Sequence, residues 1–159
     1  MVKPCLYNLS NAKLNEADLA GAVLTEAILE KTEFVGADFG GADILTFRVD
    51  GATFSRAKFK GASIAMPMSK AEFSAADFGG ANLESSDLEG ANLIEAANLT
   101  AAQVRVATGW QSALLPPRLL KDLNLPPDHN STTLKVVEDS VEKNTNKHST
   151  KPIWWEHRK

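Results

Sequence analysis

An apolar residue recurs at every fifth position through most of the first hundred residues. The series begins at Leu9 and runs unbroken to Ile64, through Leu14, Leu19, Leu24, Leu29, Phe34, Phe39, Ile44, Val49, Phe54 and Phe59. It resumes one residue early, at Met68, and one residue is added between Leu93 and Leu99. In most units an alanine stands two residues before the apolar centre. This period constrains the fold more than any other feature of the chain.

Neither regular secondary structure explains a period of five. Five residues advance an α-helix by about 140°, so the centres would spiral around its surface. The same step along a strand reverses the face, so the centres would alternate between inside and outside. A chain that turns through about a right angle with each unit places every centre inside. Four such units complete a coil of about twenty residues.

A twenty-residue coil predicts that residues twenty apart stack and share their character. When the missing and the added residue are allowed for, six of the seven phenylalanines fall into two of the four columns of centres. Stacked aromatic rings bury large areas and favour offset geometry. We predict that these two columns form the core stack, which comprises Leu14, Phe34, Phe54, Phe73 and Leu93, and Leu19, Phe39, Phe59, Phe78 and Leu99.

Several units carry a recognisable signature, including "ADLAG" at 17–21, "ADFGG" at 37–41 and "ANLIE" at 91–95. Over about residues 7–104 the chain resembles the pentapeptide-repeat proteins. The resemblance implies an all-β solenoid, a right-handed quadrilateral β-helix, here of about five coils. We expect this β-helix to occupy residues 1–104.

The residues after the repeats predict a helical cap followed by a polar tail. A capping box at Thr100–Gln103 begins a short helix, and Pro117 is placed to begin a second one. We assign residues 100–125 to a small C-terminal α-helical cap. Residues 126–159 are assigned to a polar tail or linker that ends in a Trp-Trp segment.

The sequence contains no motif that carries chemistry. It has no phosphate-binding loop, nucleophile elbow, CxxC or HExxH, and its three histidines share no metal-ligand spacing. The Asp and Asn residues that directly precede centres are interpreted as hydrogen-bonding partners of their own turns. We therefore predict no catalytic, cofactor-binding or metal site, no cofactor and no enzymatic activity.

One stretch of the repeat is irregular and predicts a contact site. Phe47 and Met66 stand where alanine is usual, and Met68 follows both a proline and the missing residue. We expect the wall to bulge here, because a narrow lumen cannot hold all these side chains. A tolerated irregularity is the alternative. The candidate partner or tail contacts are Phe47, Met66, Met68, Trp154 and Trp155.

The predicted function is a non-enzymatic rigid scaffold for protein–protein interaction or regulation, which binds through the outer faces of the β-helix. The resemblance also implies an alternative, a DNA mimic that binds a type II topoisomerase (gyrase) and modulates quinolone sensitivity. Such a mimic needs rows of negative charge. No column of outward residues is an acidic row, and a basic patch is formed by Arg48, Arg56, Lys58 and Lys60.

Composition and net charge limit the classes of partner and the compartment that we expect for this chain. A net charge of −3 argues against direct nucleic-acid binding, and no apolar run approaches the roughly 18 residues of a membrane span. The single cysteine, Cys5, fits a reducing compartment, so we expect a cytoplasmic protein, and the resemblance to the family implies a bacterial one. The expected partner is a protein of unknown identity. Unpaired backbone at the ends of such a rod also allows a homodimer by end-to-end stacking.

Overall fold

Parallel β-bridges between residues about twenty apart define the fold. In the computed structural model, which describes residues 7–46 and 48–143, each bridging residue up to Asn92 directly precedes a centre. The first coil meets the second at four bridges, namely Asn8–Ile28, Lys13–Glu33, Asp18–Asp38 and Val23–Asp43. The β-helix therefore has four walls. We number them first to fourth in chain order, so that the walls begin at Asn8, Lys13, Asp18 and Val23.

Most bridging residues from the second coil onward use both of their backbone groups on the coil before them. The Glu33 N–H donates to the Ala12 carbonyl at 3.0 Å, and the Glu33 carbonyl accepts from the Leu14 N–H at 2.8 Å. Asp38 and Asp43 make the same pair of bonds on the next two walls. The coils are thus joined as strands are in a parallel sheet.

Regular strands are confined to the fourth wall. Strand β1 is Asp43–Leu45 and strand β2 is Ser63–Ala65, and they pair in parallel with Ile44 opposite Ile64. The other bridges in the described residues are isolated, because a turn interrupts the extended backbone after each short stretch.

At most corners the residue two positions after the centre has a positive φ. The Ala12 N–H donates to the Leu9 carbonyl at 3.0 Å, which closes a turn in which Asn11 has φ 61°. Gly41 occupies the equivalent place with φ 65°, and Ala75 does so with φ 57°. A positive φ at this position is typical of a type II turn.

Side chains of the centres and of the alanines fill the lumen. In the second wall the buried rings of Phe34, Phe54 and Phe73 lie parallel, with neighbouring centroids 5.1 and 5.0 Å apart. The third wall repeats this arrangement at 5.1 and 5.2 Å in Phe39, Phe59 and Phe78. Rings of the two walls also contact each other at an angle, as Phe54 and Phe59 do at 5.9 Å. The aromatic residues form one continuous column of contacts.

Burial of the remaining core-stack leucines differs between the two ends. Leu93 and Leu99 are buried near the C-terminal end, whereas Leu14 and Leu19 in the first coil are only partly buried. A centre of the first coil has no earlier coil among the described residues to cover it, so part of its surface stays accessible.

The backbone ladder, the series of parallel bridges between coils, continues past the end of the repeat pattern. On the first wall Asp87 pairs with Thr108, and on the second wall Asn92 pairs with Leu114. These partners lie 21 and 22 residues apart, because the intervening segment folds out into a helix. Backbone pairing therefore extends ten residues beyond Val104, the last centre of the pattern.

Three α-helices follow the repeats. Helix α1 is Ala101–Val106, with Thr100 and Gln103 forming the predicted capping box, and a 3-10 helix follows at Trp110–Ser112. Helix α2 is Pro117–Leu120, with proline at its first position. Helix α3 is His129–Lys143, within the range assigned to the polar tail. In the described part of the chain, none of the helices has the length and hydropathy to cross a bilayer.

Two side chains in the first turn of α3 hold it against the segment after the 3-10 helix. The Asn130 amide accepts from the Leu115 N–H at 3.0 Å and donates to the Leu115 carbonyl at 2.7 Å. The buried His129 lies with Nε2 2.9 Å from the Ala113 carbonyl. Asn130 thus supplies the two bonds that a neighbouring strand would supply to Leu115.

The corner turns generate a first prediction. A Cβ added at Gly41 meets no atom within 4 Å, so the cost of Gly41→Ala comes from its φ of 65° alone, and we expect a loss of about 1 kcal/mol. Ala75→Gly removes the same strain and should stabilise the fold by about 0.5 kcal/mol, after the entropic cost of glycine is subtracted. Urea unfolding followed by circular dichroism measures both. Changes of the same sign in the two variants would contradict the assignment.

The aromatic column generates a second prediction. Phe54 contacts four other rings, so Phe54→Ala should lower the free energy of unfolding by about 3–5 kcal/mol. The control is Leu14→Ala, two coils nearer the N-terminal end in the same wall column, where partial exposure should make the loss clearly smaller. Thermal and urea unfolding of the two variants provide the comparison. An equal loss would show that the column does not dominate the core.

Candidate functional surface

The carboxylates and amides that precede centres bond their own turns. Asp38 Oδ1 accepts from the Gly40 N–H at 2.9 Å, and Asp77 Oδ1 accepts from the Gly79 N–H at 3.0 Å. These side chains act in the structure as the sequence pattern predicts. Within residues 7–46 and 48–143, no three His, Cys, Asp or Glu side chains lie close enough together to hold a metal ion.

The second wall contains a buried carboxylate that is also structural. Glu72 accepts from the Ser74 N–H at 2.7 Å and from Asn92 Nδ2 at 3.2 and 3.0 Å. Both carboxylate oxygens are therefore engaged. Hydrogen bonds of this kind offset the cost of burying the charge and leave no oxygen aimed at a reacting group.

Two of the predicted contact residues lie inside the protein. Met66 is 1% exposed and Met68 is 0% exposed, so neither offers a surface to a partner, and this part of the prediction is wrong. The other three candidates, Phe47, Trp154 and Trp155, lie outside the described residues.

The path of the backbone explains how the lumen holds Met66. Leu45 pairs with Ala65, and the next bridging residues on the first wall are Arg48 and Pro67. Two residues separate Leu45 from Arg48, whereas Met66 alone separates Ala65 from Pro67. The missing residue is therefore absorbed at this corner. An unbranched, flexible methionine side chain can fill the irregular space that results.

Small polar residues accompany Met66 in the same column. The buried Thr46 hydroxyl donates to the Ala27 carbonyl, and the buried Ser86 hydroxyl donates to the Ile64 carbonyl at 2.8 Å. These residues occupy less of the lumen than a second long side chain would.

The predicted basic patch is partly neutralised by neighbouring coils. Arg48 lies 2.7 Å from Glu30 Oε1, and Lys58 Nζ lies 3.6 Å from Asp38 Oδ2. The bridging residues of the third wall carry both signs, with Asp18 and Asp38 in successive coils and Lys58 between Asp38 and Asp77. No long row of one charge runs along that wall in the described residues.

The fourth wall carries an apolar surface that the sequence analysis did not single out. Val23 is 66% exposed and Leu45 is 38% exposed, and both face outward. Adjacent outward positions hold short or uncharged side chains, apart from Asp43. We call this set the fourth-wall patch, and its members are Val23, Thr25, Asp43, Leu45, Ser63 and Ala65. The sequence signal that could have revealed this patch is an aliphatic residue directly before a centre, as at Val23, or directly after one, as at Leu45.

One hydroxyl on the second wall lacks a partner. Thr53 bridges Glu33 in the preceding coil and Glu72 in the following coil. Its buried Oγ1 has no hydrogen-bond partner among the described residues. A buried polar group without a partner costs free energy, so Thr53 is a point of local instability in an otherwise satisfied wall.

This hydroxyl generates a third prediction. Thr53→Val removes the unpaired group at nearly constant volume and should stabilise the fold by about 1 kcal/mol. The matched control is Thr32→Val, because the Thr32 hydroxyl donates to the Leu9 carbonyl at 2.7 Å and its loss should destabilise by about 1 kcal/mol. Urea midpoints of the two variants test the difference in sign. A destabilising Thr53→Val would mean that this hydroxyl has a partner after all.

Comparison with known proteins identifies the repeat. A sequence profile described as "Pentapeptide repeats" matches the chain in eight copies, over residues 8–44 and 71–105. The comparison with curated proteins found no match to this sequence. The matched stretches leave out residues 45–70, which include the shortened corner around Met66.

Solved structures of pentapeptide repeat proteins resemble this fold. Rfr23 from the cyanobacterium Cyanothece 51142 is 18% identical, with coverage of 69% of this chain and 81% of that chain and a TM-score of 0.50. A protein of the Arabidopsis thaliana thylakoid lumen is 22% identical, with 62% and 72% coverage and a TM-score of 0.39. Full-length QnrB1, a plasmid-mediated fluoroquinolone resistance protein, is 17% identical, with 73% and 70% coverage and a TM-score of 0.36. At these identities the similarity to Rfr23 supports the fold alone, and the two lower scores support no further argument.

Proposed function

This chain belongs to the pentapeptide-repeat family, and we propose that it is a non-enzymatic, rigid scaffold that binds a protein partner through an outer wall of its β-helix. Proteins of this family fold as right-handed quadrilateral β-helices and are generally structural or interaction scaffolds. The observation that carries the proposal is the fourth-wall patch. It offers exposed aliphatic side chains on the wall that contains both regular strands.

The backbone under the patch is held on both sides. Asp43 N–H donates to the Ala22 carbonyl at 2.9 Å, and Ser63 N–H donates to the Ala42 carbonyl at 2.9 Å. Beneath it Ile44 and Ile64 are buried. A surface supported in this way loses little conformational entropy when a partner binds, so more of the contact energy remains as affinity.

The chemistry of the patch indicates the kind of partner. Val23 and Leu45 lie in successive coils, and neighbouring strands are about 4.8 Å apart, so the two side chains can enter one apolar contact. Asp43 is the charged member of the patch. The patch therefore fits a protein surface with a small apolar cluster beside a lysine or arginine, rather than a nucleic acid.

We further propose that the β-helix has five coils and that the segment after it closes the C-terminal end. Gln103 Nε2 donates to the Phe78 and Ala81 carbonyls at 2.7 and 2.8 Å. Arg118 donates to the Ala96 and Leu99 carbonyls at 2.9 and 3.2 Å. These bonds support the presence of a cap. Without them, carbonyls of the last coils would lie unpaired at an exposed edge.

The proposal generates a fourth prediction. Leu45→Lys should abolish capture of the partner by the immobilised full-length chain in a lysate of its source organism, because it places a charge at the centre of the apolar contact. The control is Val35→Lys, which changes an aliphatic residue at the same position of the same coil on the opposite wall. Capture is measured by quantitative mass spectrometry against the unmodified chain.

Two outcomes would contradict the proposal. One is that Leu45→Lys captures as much of the partner as the unmodified chain and the Val35→Lys control do. The other is inhibition of gyrase supercoiling by the purified protein at equimolar concentration, which would favour the DNA-mimic alternative. The mixture of charges on the third wall, where Lys58 pairs with Asp38, favours the scaffold over the mimic.

A further inference from the structure

The two ends of the β-helix differ in how their backbone groups are satisfied. At the C-terminal end, side chains of Gln103 and Arg118 bond carbonyls of the last coils. In the first coil, the N–H and carbonyl groups of Lys13, Asp18 and Val23 have no hydrogen-bond partner among residues 7–46 and 48–143. The N-terminal end of the described structure is therefore an open edge.

The direction of these free groups follows from the ladder. In the second coil, both backbone groups of Glu33 point toward the first coil, where they bond Ala12 and Leu14. Lys13 occupies the same position one coil earlier, so its N–H and carbonyl both point out of the N-terminal end. The same holds for Asp18 and Val23, which precede Asp38 and Asp43 in their columns.

This end also carries exposed apolar side chains. Val23 at 66% and Tyr7 at 64% are its two most exposed large hydrophobic residues, and both lie at the N-terminal rim. Inside the rim, Leu14 and Leu19 are only partly buried. An exposed edge that combines free backbone groups and apolar side chains is a template for association.

We propose that the N-terminal end of this β-helix binds the N-terminal end of a second copy, in an isologous dimer with a two-fold axis perpendicular to the rod. Opposed ends run antiparallel under such an axis. When two directly opposed residues each point their N–H and their carbonyl at the other, they form the hydrogen-bonded pair of an antiparallel ladder. The bridging residues of the first coil supply this pair on every wall. The inference shares Val23 with the fourth-wall patch but does not require that patch to bind a partner.

The charges on the rim select one of the possible axes. The bridging residues are Asn8, Lys13, Asp18 and Val23 on the first to fourth walls. An axis through the corner between the second and third walls places Lys13 opposite the partner's Asp18 twice, and Asn8 opposite the partner's Val23 twice. It is therefore complementary in charge.

The other axes are less favourable. An axis through the middle of the second wall opposes two Lys13 residues, and one through the middle of the third wall opposes two Asp18 residues. The remaining axis, through the corner between the first and second walls, places Asp18 against the partner's Val23 and leaves the charge unpaired. Like charges across an interface suppress the wrong arrangement.

Contacts inside the protein show that bridging side chains one coil apart reach each other. Lys58 Nζ lies 3.6 Å from Asp38 Oδ2, and Asn92 Nδ2 lies 3.0 Å from Glu72 Oε2. Each of these pairs consists of bridging residues on the same wall in successive coils. Lys13 and the partner's Asp18 would occupy the same relation across the dimer.

The test is sedimentation equilibrium of the full chain over a wide range of concentration. The unmodified protein should form dimers. Lys13→Asp and Asp18→Lys should each weaken the dimer by about 100-fold or more, because each creates two like-charged contacts. The double variant that carries both substitutions should restore it, because the pairs reform with their signs exchanged. Lys60→Glu, which changes charge two coils away from the rim, should leave the dimer intact.

Three results would overturn the proposal. A monomer at all concentrations would mean that the end is covered within one chain. A dimer that survives both single reversals would place the interface elsewhere. Failure of the double variant to restore the dimer would exclude this axis, provided that circular dichroism shows the variant to be folded. That control matters because Asp18 Oδ1 also accepts from the Ala20 N–H at 3.1 Å.

Discussion

The parallel backbone ladder between coils is the interaction on which the rest of this structure depends. Most bridging residues give both their N–H and their carbonyl to the coil before them, as Glu33 does, so the register between coils is set on all four walls. Stacking of the phenylalanine rings follows from that register, since rings one coil apart are brought to about the strand spacing. A slip by one residue would turn the centres outward on every wall.

Because the backbone ladder sets the register between coils, a coil that is shorter or longer than its neighbours must accommodate the difference at a corner. The missing residue is absorbed where Met66 alone joins Ala65 to Pro67. The added residue lies after Ala97, which pairs with Asp77, and Asn98 turns away with φ 53°. Both changes leave the centres buried. The walls are therefore nearly continuous although the sequence is not strictly periodic.

The same ladder decides where function can lie. Asp and Asn side chains before the centres are used by their own turns, and the lumen is filled, so recognition is left to outward side chains and to the ends. On the walls, Leu45 and Val23 stand out because their neighbours are short or uncharged. The two ends of the β-helix differ because side chains such as Gln103 and Arg118 donate hydrogen bonds to backbone carbonyls at the C-terminal end alone.

How much could be predicted varies with the part of the chain. The period and the columns of phenylalanine indicate a four-walled coil, because every unit meets the same neighbours one coil above and one coil below. The fate of Met66 could not be predicted from size alone. It depends on the shortened corner between Ala65 and Pro67, where Met66 alone joins two walls. The fourth-wall patch was visible in principle, since Leu45 directly follows a centre, but its exposure depends on Ala65 beside it.

The amino-acid sequence by itself determined the repeating unit, the inward direction of its centres, the corner turns and the local capping box of α1. The tertiary structure alone decided that the ladder continues to Leu114 and that Asn130 and His129 fasten α3 to residues 113–115. The reason is physical. A periodic pattern encodes contacts that are the same in every unit, whereas the segment after the repeats binds to whichever backbone groups the last coils leave unpaired. Those groups are defined only once the coils have assembled.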